Sequence, residues 1–176
     1  MISVNQILSG APASTLDRPL EHLRACHRRI EDRLATLERA AAGFPSDPSA
    51  ARAAIANCLA FFRTSGQLHT RDEEESLFPR LLPLLEGADR DFLAALEAQH
   101  EESARLHSAL ESAAADLEAN GAAGALEAFR EAVQALASLY GAHIAAEDSR
   151  LSPLAQRLLP SGDWKAIAAE MRSRRA

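Results

Sequence analysis

Apolar positions recur along this chain in alternating steps of three and four. The first series runs Leu20, Leu23, Ile30, Leu34, Leu37 and Ala41, with His27 filling one of its places. A stripe of this period is the inward seam of a bundle helix. A second series passes through Ile55, Leu59, Phe62 and Gly66 to His69 and Glu73, so two polar residues occupy seam positions in succession. The third reads Leu93, Leu96, His100, Ser103, His107, Leu110 and Leu117, and the fourth Phe129, Val133, Leu136, Tyr140, His143, Glu147 and Leu154. Every long series therefore turns at least one histidine inward.

The stretches that interrupt these series carry the residues that end helices and start new ones: "GFPSDPS" at 43–49, "EGADRD" at 86–91, "EANGAAG" at 118–124 and "LPSGDW" at 159–164. Asp47 before Pro48 reads as an N-cap with proline in the first turn. Pro79, Pro83 and Pro153 are expected to kink or end the second and fourth helices in similar places. The second and fourth helices look alike, as do the first and third, which hints at a duplicated hairpin. The prediction is an all-α fold: an up-down-up-down four-helix bundle over residues 16–160, preceded by an N-terminal extension (1–15) and followed by a short C-terminal fifth helix with a basic tail (161–176).

Composition narrows the function. Ala and Leu dominate, and 176 residues suffice for a core without disulfide or metal staples. The net charge of −6 argues against a nucleic-acid groove. The one basic cluster, Arg172, Arg174 and Arg175, is expected to be a solvated helix end. No apolar run approaches a membrane span, and the N-terminus lacks a secretory pattern, so a soluble cytoplasmic protein is expected. Cys26 and Cys58 form no C-x-x-C and suit reduced, buried thiols.

The candidate chemistry lies in the inward polar residues. If His27, His69, His100 and His143 share a layer, Glu73 and Glu147 occupy the next. A residue four positions on is rotated by about 40° and raised by about 6 Å, so His69 with Glu73, and His143 with Glu147, present their heads to one point. In a chain with 16 glutamates this spacing is weak by itself. Placement is the stronger argument, because two carboxylates and four imidazoles in an apolar seam would cost several kcal/mol per unpaired charge unless a cation sits among them. A mixed nitrogen and oxygen donor set suits iron or manganese better than a thiolate zinc site.

The ordered stretches "CHRRIEDRL", "HTRDEEESLFPRL", "AQHEESARL" and "HIAAEDSRLSPL" resemble the hemerythrin-like cation-binding domains, over roughly residues 16–160. "DWKAIAAEMRSRR" is similar to a closing helix of bacterial members. The resemblance implies two iron ions, with His27, His69, His100 and His143 as terminal ligands and Glu73 and Glu147 as bridges; iron over manganese rests on it.

The sequence departs from the oxygen carriers of that family in two places. Their second third-helix histidine is replaced by Ala104, and after His143 the chain offers both Glu147 at four residues and Asp148 at five, of which the seam favours Glu147. An under-coordinated iron leaves room for a small ligand such as O2, peroxide or NO, and suits reaction or sensing better than reversible oxygen transport. The expectation is a non-heme di-iron protein that binds or reduces a small oxidant. The alternatives are an iron, oxygen or redox sensor or storage module, and a metal-free structural bundle.

The remaining polar residues have lesser expected roles. Tyr140, one turn before His143, is a candidate near-iron residue, as ligand or outer partner. His107, two turns from His100, is expected to be a core histidine facing Leu34, Phe62 and Leu136. His22 and Glu31 read as surface or rim residues, and Glu74, Glu75, Glu101 and Glu102 as a solvated acidic face. Glu97 is the candidate extra ligand.

Overall fold

The computed structural model describes residues 16–120 and 123–176; the extension expected over 1–15 lies outside them. All regular structure among the described residues is helical. Helix α1 is Pro19–Gly43. Helix α2 (48–84) opens on Pro48, with Asp47 Oδ1 accepting from Ala50 N at 3.0 Å, the cap expected from the sequence. Helix α3 is Gly87–Asn120, α4 spans 123–158, and α5 is Ser161–Ser173. The chain turns from α2 into α3 within two residues, which Gly87 permits with φ +50°. α1 packs on α2 and on α4, and α3 on α4 and, through fewer contacts, on α2, which is the cyclic order of an up-down-up-down bundle.

The prolines act differently from a simple stop. Both α2 and α4 widen to a π-turn just before one, at Glu73–Leu77 ahead of Pro79 and at Glu147–Leu151 ahead of Pro153. Proline lacks an N–H and its ring clashes with the carbonyl four residues back, and a wider turn relieves that clash while the helix continues. α2 ends only at the tight turn Leu82–Leu84, which holds Pro83. A further π-turn, Phe62–Gly66, contains Thr64, whose hydroxyl bonds back to Ala60 O at 2.8 Å. Each proline-linked π-turn begins on an inward glutamate, so the hairpin likeness read from the sequence extends to this irregularity.

Two apolar clusters fill the interior. One contains Ile30, Leu37, Leu110, Phe129 and Leu136; the other contains Leu23, Leu77, Leu81, Leu96, Leu151, Ile167 and Met171. Between them lies a layer of polar residues drawn from all four long helices. Cys26 and Cys58 are free and buried, as expected of reduced thiols.

The fifth helix corrects two expectations. His22, read as a surface or rim residue, is only 1% exposed, because α5 covers the outer face of α1. The basic tail is not a solvated end either. Arg175 Nη2 donates to Asp72 Oδ2 at 2.6 Å and Arg174 Nη1 to Asp72 Oδ1 at 2.9 Å, while Arg174 Nη2 donates to Ser76 Oγ at 2.7 Å. Asp72 is fully buried, and burial raises its carboxyl despite both guanidinium groups. Ending the chain at Ser173 would strip that buried carboxylate of both guanidinium partners and leave only the His22 imidazole, 3.8 Å away, and is expected to cost about 3 kcal/mol of unfolding free energy in denaturant titrations. A truncated chain as stable as the full one would show that the two arginines do not hold Asp72 in place.

His22 supplies a pH prediction. Burial, then Arg175 and Arg29, lower its pKa from 6.5 to about 4. At pH 7 both folded and unfolded states are neutral there. Below pH 6.5 the unfolded chain takes up a proton that the folded chain refuses until about pH 4. Stability is therefore lost across that window, by about 3 kcal/mol in full. His22→Gln should flatten the stability profile between pH 6.5 and 4; an identical slope in the variant counts against the assignment.

Candidate metal centre

The polar layer assembles from single side chains of separate helices. His27 comes from α1, His69 and Glu73 from α2, His100 from α3, and His143 and Glu147 from α4. All six are buried; His100 at 7% is the most exposed, against 1 to 2% for the others. Their donor atoms form two overlapping groups within 4.8 Å: His27, His69, Glu73 and Glu147, and Glu73, His100, His143 and Glu147. Both carboxylates belong to both groups. The Nε2 atoms turn inward, with His143 Nε2 at 3.2 Å from Glu147 Oε1, His27 Nε2 at 2.9 Å from Glu147 Oε2, and His100 Nε2 at 3.4 Å from Glu73 Oε2.

The opposite ring nitrogens bond outward. His27 Nδ1 meets Asp148 Oδ1 at 3.1 Å, His100 Nδ1 meets Glu74 Oε1 at 2.9 Å, and His143 Nδ1 meets Gln99 Oε1 at 2.8 Å. An Nδ1 proton held by such an acceptor leaves the Nε2 lone pair facing inward, the tautomer a cation requires. Phe78 stacks on His100 with centroids 5.7 Å apart and planes 5° from parallel.

These atoms fit a cation better than they fit one another. His27 Nε2, both ring nitrogens of His69, Glu73 Oε2 and both Glu147 oxygens are buried with no hydrogen-bond partner among the described residues. The 2.9 Å approach of His27 to Glu147 lacks hydrogen-bond geometry. Orphaned buried polar groups cost about 1–3 kcal/mol each, and a bound cation would satisfy them together.

Electrostatics agree. Burial drives the Glu73 carboxyl well above its ordinary range, and the facing Glu147 adds to the rise. Burial also acts to raise Glu147, but His143 and His27 outweigh it and hold that carboxyl well below its usual range. The pair thus favours one negative charge in place of two. Burial lowers the His69 imidazole well below its usual value, with the neighbouring His27 adding to the drop. His27 rises, because Glu147 and then Glu73 overcome its desolvation.

Residues 18–155 match the family model of the hemerythrin HHE cation binding domain. The chain belongs to the hemerythrin HHE cation-binding family. A comparison with curated proteins finds no match. Membership and the buried His and Glu clusters together suit a metal-binding hemerythrin-like domain. Among the described residues no helix is long and apolar enough to cross a membrane.

Within this hemerythrin-like site, Glu147 and not Asp148 joins the inner groups; Asp148, with its side chain 36% exposed, is the outer partner of His27. Glu97, the candidate extra ligand, is exposed on α3 and belongs to neither group, because the inward face there is taken by Leu96 and His100. Tyr140 lies beside the centre with its ring 6.5 Å from that of His143, and its hydroxyl bonds His107 Nε2 at 3.0 Å. Burial pushes the Tyr140 phenol up to about 12. His107 is half-buried and not a core residue: it touches Phe62, as expected, with centroids 4.8 Å apart, but borders a cleft. That cleft, about 490 Å³, opens between α2 and α3 against His100. Glu31, Glu75 and Glu101 are exposed and Glu102 half-buried, whereas Glu74, exposed too, bonds His100.

Glu74 enters the sequence reading only as part of a solvated acidic face, Asp148 only as the lesser candidate for the inner carboxylate, and Gln99 not at all. Each is the chain neighbour of an inward residue and reaches the histidine of an adjacent helix. Adjacency to an inward ligand was the available signal, but no intrahelical period marks it.

Proposed function

We propose that this protein holds two iron ions, one between His27 and His69 and the other between His100 and His143, with Glu73 and Glu147 bridging. The observation that carries this reading is the sharing of both carboxylates by the two donor groups. When bound, such a pair supplies two electrons to a small oxidant, peroxide, O2 or NO. Manganese suits the same donors, and iron is chosen because of the family resemblance.

The chain's own residues prepare the site. Asp148, Glu74 and Gln99 orient three imidazoles through their Nδ1 atoms. The apolar clusters on either side exclude water from the carboxylates. Ala104, where the carriers have a further ligand, stands on the rim of the cleft that reaches His100, so a small molecule has a route to this end of the site. Reaction or sensing follows more readily from that open side than oxygen carriage does. The metal-free structural bundle is disfavoured by the orphaned buried atoms.

A sensor or storage role is the second reading, and one observation favours the sensor. Asp72, which clamps the C-terminal arginines, directly precedes Glu73, so strain at the centre has a short path to α5.

Metal analysis with an absorption spectrum tests the first claim. Two irons per chain and near-ultraviolet charge-transfer bands are expected of the oxidised protein, and a colourless, metal-free, equally stable protein would end the proposal. Counting turnovers with added hydrogen peroxide then separates the roles: many turnovers with the site intact mark an enzyme, and a single stoichiometric oxidation marks a sensor or binding module.

A further inference from the structure

The cleft against His100 has a buried floor of Phe62, Gly66, His100, Ser103 and Tyr140, and Ala104 and Ser108 on its exposed rim. Its volume of about 490 Å³ falls in the range of sites for organic molecules. Dioxygen or nitric oxide, with two heavy atoms each, leaves nearly all of it unfilled. Of the three oxidant classes, peroxide alone can carry an organic body. We propose that the cleft binds an organic hydroperoxide, a reading that rests on the metal centre proposed above and names its substrate class.

The lining supports a neutral, amphipathic ligand. Phe62, Gly66 and Ala104 offer apolar surface for a carbon body. A Cβ added at Gly66 would meet Phe62 Cδ1 at 3.5 Å, so this glycine adds width to the cleft at ordinary contact distance. The Tyr140 hydroxyl and His107 Nε2, 3.0 Å apart, and the Ser103 hydroxyl supply polar contacts close to His100. The cations at the rim are already matched: Arg63 Nε lies 2.7 Å from Glu111 Oε1, and Arg71 Nε 2.8 Å from Glu75 Oε1. A carboxylate or phosphate ligand would have to displace those pairs, whereas a hydroperoxide need not.

The reaction balances as ROOH plus two electrons plus two protons giving ROH and water. The O–O bond breaks, both of its oxygens are reduced, and the two electrons come from the metal pair. The Tyr140–His107 pair stands where it can pass a proton from the cleft to the departing alkoxide, and solvent supplies the other.

The test uses the iron-loaded full chain, with cumene hydroperoxide and hydrogen peroxide as oxidants and 2-phenyl-2-propanol, the alcohol product, as an unreactive probe. Equilibrium dialysis should show saturable binding of the alcohol to the wild type, weakened about tenfold in Ala104→Phe. The ratio of oxidation rate constants, cumene hydroperoxide over hydrogen peroxide, should fall about tenfold in that variant and in Ser108→Phe, both at exposed helical positions. Absence of saturable binding, or an unchanged ratio in both variants, overturns the assignment. If hydrogen peroxide oxidises the reduced protein while the ratio ignores the substitutions, only the cleft assignment fails. If neither peroxide oxidises it, the metal reading fails as well.

Discussion

Loading the chelated protein with ferrous iron is expected to raise its thermal midpoint by about 10 °C. A ligand present at a thousand times its dissociation constant stabilises the folded state by about 4 kcal/mol. In a chain of 176 residues each kcal/mol moves the midpoint by about 2–4 °C. The gain should be this large because the six donors come from four helices, so the ion ties the whole bundle at one level. It also relieves the desolvated charges and orphaned atoms of the polar layer. Scanning calorimetry with and without metal checks it, and a midpoint indifferent to stoichiometrically bound iron contradicts the idea that the layer is held together by cations.

Glu73→Gln and Glu147→Gln should both weaken iron binding about a thousandfold or more, equivalent to roughly 4 kcal/mol, yet shift the stability of the chelated protein in opposite directions. Glu73 is fully desolvated and faces Glu147, so its charge works against folding until a cation arrives. Neutralising it should stabilise the chelated protein by about 1 kcal/mol or more. Glu147 is the anion that His143 and His27 face, and losing its charge leaves those imidazoles without it, so this variant should be less stable. Chemical unfolding of the two chelated variants beside the wild type reads the signs directly. Equal shifts in the same direction would show that the carboxylates do not play distinct parts.

The contrast between these glutamates was not visible along the chain, where each merely follows a histidine by four residues. Their inward direction was visible. Helical period determines which side of a helix a residue occupies, and two successive polar residues on an apolar stripe stand out. The same logic exposed His27, His69, His100 and His143, the helix breaks at 43–49, 86–91 and 159–164, and the cap at Asp47. The family model matches over 18–155, a span that contains all six inward donors.

What the amino-acid order determined by itself was thus the all-α bundle and the set of groups turned into it, because a helix's hydrogen bonds and its 3.6-residue turn are local. Only the tertiary structure decided the rest. The burial of His22 follows from α5, which covers a face that a four-helix seam does not include, and Arg174 and Arg175 leave solvent for Asp72, a partner about a hundred residues away in the chain. The outer bonds of Asp148, Glu74 and Gln99, and the gap at Gly66 and Ala104, depend on how neighbouring helices are offset along their axes. That offset comes from packing between surfaces distant in the chain, and it leaves no period in the sequence to read.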